Sequence, residues 1–154
     1  MRPRLQPFAL PLELGDFADE VRRAFQELGR SAEQVLNGEC SPAVDVFETD
    51  DAVKIVVDLA GVEHSAIRIL VKHDAVLVVG QKTPRRRATG EATFHLVERA
   101  FGRFARVVRL DCACATTTSR ASLSNGQLHI TVPKIQDRRG RVIPIAIEST
   151  PAQA

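Results

Sequence analysis

An all-β protein, built as an antiparallel sandwich of short strands, is what this 154-residue sequence predicts. From Pro42 onward, apolar residues alternate with polar ones at a period of two instead of 3.6, the spacing that puts every second side chain on one face of a strand. Turn signals separate these runs at the intervals expected of a sandwich. No amphipathic helical stretch lies between the runs, which excludes βαβ units and a parallel sheet.

Residues 1–41 form a compositional unit of their own, an apolar and partly helical N-terminal arm. "LQPFALPLEL" is apolar but interrupted by prolines, so it is not expected to be regular. In "DFADEVRRAFQELGR" the residues Phe17, Val21, Ala24, Phe25 and Leu28 recur at helical spacing, with Asp16 as N-cap and Gly29 as stop. Ser31 with Gln34 reads as a capping box opening a second short helix that ends at Asn37-Gly38.

The strands then follow in order. Val44 and Val46 share a face, Asp50-Asp51 turns, and Val53, Ile55, Val57 and Leu59 alternate until Gly61 stops them. Ile67, Ile69 and Val71 alternate again, His73-Asp74 turns, and "AVLVVGQ" returns. Phe104 to Leu110 reads as a strand. Ala121 and Leu123 lead into Asn125-Gly126, with Leu128, Ile130 and Val132 behind it; Asn-Gly between alternating runs is the strongest short hairpin signal. The polar loop "KTPRRRATGEAT" precedes "FHLVERAFG", a candidate for one further, peripheral strand. The sandwich is expected over residues 42–134, and a C-terminal extension over 135–154.

The bulk numbers narrow the function. A net charge of +2, with basic and acidic residues interleaved, gives no field that would gather nucleic acid or anionic lipid. The basic clusters Arg85-Arg86-Arg87 and Arg138, Arg139, Arg141 read as solvated loops. Gln6, Glu13 and prolines interrupt the N-terminus and no later stretch approaches a membrane span, so neither a signal peptide nor a membrane span is expected. Three cysteines, Cys40, Cys112 and Cys114, are an odd number without scaffold spacing and fit a reducing compartment, so a cytoplasmic protein is expected.

Catalytic chemistry is not expected. "GQKT" lacks the adjacent Gly-Lys of a phosphate loop and has no helix after it, so it reads as a strand end and no nucleotide or other cofactor is implied. Cys112-x-Cys114 with His95 or His129 could hold a soft metal, but no second cysteine pair exists; small buried cysteines or a redox-sensitive loop are simpler readings, and no metal site is assigned. His64, His73, His95 and His129 have no nucleophile motif beside them. Ser122 and Ser124 read as the outward face of a strand.

"ERAFGRFARVVRL", then "ASLSNGQLHITVPK", then "IPI" resemble, in this order and spacing, the α-crystallin domain of the small heat-shock proteins, bacterial type, over about residues 42 to 147. The resemblance implies an immunoglobulin-like sandwich and an ATP-independent chaperone that assembles into homo-oligomers and holds unfolding clients. Two positions depart from the bacterial pattern: Leu59-Ala60-Gly61-Val62 stands where Leu-Pro-Gly-Val is usual, and Leu110-Asp111 where Leu-Pro is. Both losses are of prolines that stiffen turns.

Against that background the apolar tail "RVIPIAI" has a physical reading. In an extended segment Ile143 and Ile145 point the same way, into one groove, while Pro144 has no N–H to offer an opposite edge. The tail can add one strand to a sheet without templating another beyond it. Ile145 with Ile147 is a second possible register, and folding back onto its own domain a second destination.

"FHLVERAFG" matches the family's swapped strand, which pairs with a partner subunit to make the dimer. Phe94, Leu96 and Val97 would supply its apolar contacts, with Glu98, Arg99, Arg106 and Arg109 available for ion pairs; Arg106 and Arg109 are favoured as structural residues with buried stems. Client-binding candidates are Phe8, Leu10, Leu12 and Leu14 and the helix stripe Phe17, Val21, Phe25 and Leu28, which serve equally as subunit contacts. The rival reading is an adaptor sandwich that docks to another chaperone through a sheet face; it fits less well, because this chain carries the Ile-Pro-Ile tail and no Trp or Tyr.

Overall fold

The computed structural model describes residues 15–30, 40–84, 93–135, 142, 144 and 145. The alternating runs become seven strands among these residues: β1 (Val44–Glu48), β2 (Ala52–Asp58), β3 (Ile67–Lys72), β4 (Ala75–Lys82), β5 (Gly102–Arg109), β6 (Arg120–Ser124) and β7 (Gln127–Pro133). All strand pairs are antiparallel, in a four-stranded sheet ordered β1-β2-β7-β6 and a three-stranded sheet ordered β3-β4-β5.

Local chemistry makes the turns. Between β1 and β2 the Thr49 hydroxyl donates to Asp51 Oδ1 at 2.6 Å and accepts the Ala52 N–H at 3.2 Å, which closes the hairpin through a side chain. Between β6 and β7, Asn125 and Gly126 take φ values of 50° and 78°, the positive pair that a type I′ turn requires. His73 turns β3 into β4 with φ 54°, and Gly61 ends the run after β2 with φ 79°.

The two sheets bury one core between them. Val53, Ile55 and Val57 from β2, with Leu128, Ile130 and Val132 from β7, meet Val76 and Val78 from β4 and Phe104 and Val108 from β5. β2 and β7 alternate buried and more exposed positions as a half-buried strand does, and their register sets Ile55 opposite Ile130 and Val57 opposite Leu128.

β4 behaves differently: all of its residues except Lys82 are buried. Its outer face, Ala75, Leu77 and Val79, joins Val107 of β5 in a second cluster against Phe17 and Ala24. The amphipathic stretch of the arm thus forms α1 (Ala18–Arg30) and lies on the three-stranded sheet. Two details of the expected helix are corrected. Gly29 lies inside the helix and does not stop it, and Asp16 sits in a 3-10 turn ahead of the helix, with its carboxylate accepting from Arg109 Nη2 at 3.1 Å. A glycine inside the last turn costs a helix little when tertiary packing holds it. The second short helix expected after Ser31, and the 85–92 part of the polar loop, lie outside the described residues.

Candidate interaction surfaces

One sheet edge and two apolar segments concern partners most. Among the described residues β1 is the outer strand of its sheet and pairs only with β2, so one row of its backbone groups faces outward there. Val46 and Phe47 on this edge are both about half exposed, at 48% each. Phe47 breaks the alternation of β1, where a large apolar side chain falls on the face opposite Val46; that irregularity was the available signal for an apolar edge, and the sequence reading passed over it.

The segment expected to form a swapped strand makes no strand pairing among the described residues: residues 93–100 contain no strand. Phe94, Leu96 and Val97 are exposed at 73%, 74% and 68%. Glu98 and Arg99 are exposed as well, and the Arg99 guanidinium lies 4.9 Å from the centroid of the Phe101 ring at the entry to β5.

Arg106 and Arg109 sit on β5 and turn to their own chain. Arg106 Nη1 donates to Ser41 Oγ at 2.9 Å and to the Pro42 carbonyl at 3.0 Å, which ties the start of the sandwich to β5. Arg109 bridges Asp74 at 3.3 Å and Asp16 at 3.1 Å, so a single guanidinium joins the β3–β4 turn to the base of α1. Lys72 Nζ reinforces that docking with bonds to the Asp16 carbonyl at 2.8 Å and Glu20 Oε1 at 3.0 Å. The hydrogen bond from Lys72 holds the Glu20 carboxyl below its ordinary value.

The helix stripe is therefore occupied. Phe17 is 1% exposed and Leu28 is buried, while Val21 and Phe25 are half-buried; Phe25 also lies under the Arg103 guanidinium, 5.1 Å away. Phe8, Leu10, Leu12 and Leu14 lie outside the described residues.

At the other end, the tail leaves from a well-held root. Lys134 N–H donates to Asp51 O at 2.7 Å, Ile135 N–H to Ala113 O at 2.8 Å, and Lys134 Nζ pairs with Glu48 at 2.8 Å. That pairing raises the Lys134 pKa. Beyond the root, Val142 and Ile145 are 97% and 90% exposed and Pro144 is exposed, so these residues do not rest on their own domain; Ile143 and Ile147 fall outside the described residues.

Cys40, Cys112 and Cys114 are free thiols at half-buried positions. Cys112 and Cys114 approach to 3.4 Å, whereas the Cys40 thiol donates to the Gly102 carbonyl at 3.6 Å. No group of three or more His, Cys, Asp or Glu that could hold a metal occurs among the described residues, and His95 and His129 do not join the cysteine pair in one. Nor is any helix among them long and apolar enough to cross a membrane.

The comparisons with known proteins agree with this geometry. The profile of the Hsp20/alpha crystallin family matches residues 45–148. The 18.9 kDa heat shock protein of Oryza sativa subsp. japonica is 39% identical over 106 residues, which are 67% of this chain and 59% of the rice protein. Spore protein SP21 of Stigmatella aurantiaca is 34% identical over 71% of this chain and 64% of its own, so the chain spans about three fifths of these two relatives. Among solved structures, heat shock protein 16.0 from Schizosaccharomyces pombe is similar at a TM-score of 0.60 and 28% identity, covering 71% of this chain and 99% of that one. A small heat-shock protein from Xylella fastidiosa follows at 0.57 and 25%, covering 72% and 97%. With the sandwich, the free apolar segments and a profile match over two thirds of its length all in agreement, the chain belongs to the Hsp20/alpha crystallin family, the small heat-shock proteins, which are chaperones and not enzymes.

Proposed function

We propose that this protein is an ATP-independent holdase, a chaperone that binds unfolding proteins and keeps them from aggregating under heat or other stress, and that it works as a dynamic homo-oligomer. The observation that carries the reading is the pairing of an open apolar edge with apolar segments that have no seat in their own chain: Val46 and Phe47 on β1, against Phe94, Leu96 and Val97 and the tail residues Val142 and Ile145.

Each surface has a role. Residues 94–97 of one subunit add a strand to the β1 edge of another, which satisfies the outward backbone groups and covers Phe47; this makes the dimer. Ile143 and Ile145 of the tail enter a groove on a neighbouring dimer, with Pro144 ending the sheet there. Each buried isoleucine contributes on the order of 2 kcal/mol before the entropy of ordering the tail, so one contact is weak and reversible. Many copies in a closed particle add through effective concentration, giving an assembly that holds yet exchanges subunits. Clients meet the apolar arm, both the proline-broken stretch with Phe8, Leu10, Leu12 and Leu14 and the stripe of α1, once Phe17, Val21, Phe25 and Leu28 leave the three-stranded sheet. Three free thiols fit a cytoplasmic location.

The test is light scattering from a client protein unfolding with heat, with and without stoichiometric amounts of this protein and with no nucleotide. Suppressed scattering is expected. No suppression across several clients and temperatures would overturn the holdase and favour an adaptor whose Ile-Pro-Ile tail serves one specific partner.

A further inference from the structure

We propose that Cys112 and Cys114 form a peroxide-sensitive dithiol, closing to an intrachain disulfide that loosens the root of the C-terminal tail. The two sulfurs already stand 3.4 Å apart, one thiol hydrogen-bonded to the other. Formation of the bond brings them to about 2.0 Å, a small movement of the side chains and a tightening of the backbone around Ala113.

The location gives that tightening a consequence. Ala113 accepts the Ile135 N–H at 2.8 Å, Ala115 donates to the Pro133 carbonyl at 2.8 Å, and Cys114 forms an isolated antiparallel bridge with Lys134. The dithiol segment is therefore the backbone partner of the three residues from which the tail departs. Both cysteines also pack against the main core while staying partly exposed, so a small oxidant can reach them.

The chemistry divides between the two thiols. Burial first, then the hydrogen bond shared with Cys112 and the charge that Cys112 would carry, pushes the Cys114 thiol up to about 11, so it stays protonated at neutral pH. One sulfur of the pair attacks a peroxide as its thiolate, the O–O bond breaks, and a sulfenic acid and an alcohol or water result. The other sulfur then attacks the sulfenic sulfur, the S–O bond breaks, and the departing hydroxide takes that thiol's proton and leaves as water. Two electrons pass from the thiol pair to the peroxide, and a dithiol reductant returns them. Cys40, whose thiol is turned to the Gly102 carbonyl, takes no part.

The sequence allows a clean readout, because trypsin releases Leu110 to Arg120 as one peptide holding both cysteines and excluding Cys40. After brief treatment of the intact protein with hydrogen peroxide, this peptide should be lighter by two hydrogens and refuse alkylation until reduced, and amide exchange at Ile135 and Ala115 should quicken several-fold. In either single variant, Cys112→Ser or Cys114→Ser, the peptide should gain oxygen instead of losing hydrogen. Unchanged mass, stepwise oxygen addition in the wild type, or a crosslink between chains would overturn the dithiol. A closed disulfide without faster exchange at Ile135 would overturn its hold on the tail.

Discussion

Gly80 shows how narrowly single positions are determined. A Cβ added there would lie 2.5 Å from the Ala66 carbonyl oxygen and 2.5 Å from Phe104 Cζ, and neither a backbone oxygen nor a core ring can move far. Gly80→Ala should cost roughly 1–3 kcal/mol, seen as a lower urea midpoint with an unchanged slope. Ile55, fully buried between the sheets, should cost more when cut to alanine, about 2–5 kcal/mol, because the cavity it leaves is walled on both sides. Both changes act on the sandwich and should leave the exposed tail residues as they are.

Helix α1 is the element with the most adjustable hold on the rest. Its apolar anchor is Phe17, in the 3-10 turn just ahead of it, whose burial against Leu77 and Val79 is worth about 1.5–3 kcal/mol, and its polar anchors are Lys72 with Glu20 and Arg109 with Asp16. Phe17→Ala should undock the helix while the strands persist, measured as increased binding of an apolar dye with the β circular-dichroism signal retained. Acid should act in the same direction. The folded Glu20 carboxyl is held below its ordinary value near 4.5, so its contribution is present above that value and is lost as pH falls through the lowered one. Amide exchange in α1 should therefore quicken as pH falls below the ordinary carboxylate value, before exchange in β2 and β7 does, and Glu20→Gln should remove most of that pH dependence.

For the proposed assembly the edges decide the outcome. Leu96→Asp with Val97→Asp places two charges where a partner's strand would bury apolar side chains, so the smallest stable species should fall from dimer to monomer in native mass spectrometry. On the same proposal Ile143→Ala with Ile145→Ala should instead stop at the dimer, because it takes away the proposed tail contact between dimers and leaves the β1 edge intact. An unchanged large particle in the second variant would assign assembly to the N-terminal arm.

How much of this was legible follows from what local patterning encodes. β2 and β7 were readable because each buries one face, and their alternation is that fact written in sequence. The turns at His73, Asn125 and Gly126 were readable because positive φ selects few residue types. "AVLVVGQ" has no alternation, since β4 is covered by the opposing sheet on one face and by α1 on the other; periodicity reports burial without saying what does the burying. The candidate site divides likewise: Phe94, Leu96, Val97 and Ile145 stood out as apolar residues in polar surroundings, whereas Phe47 gained its place only once β1 became an edge. By itself, then, the sequence determined the strands, their hairpins and the two apolar extremities, because period and turn chemistry act within a few residues. Only the tertiary structure decided which strand is an edge, that Arg109 reaches Asp16 across 93 positions, and that two thiols meet beside the root of the tail, since pairing between distant segments is set by packing and leaves no local trace.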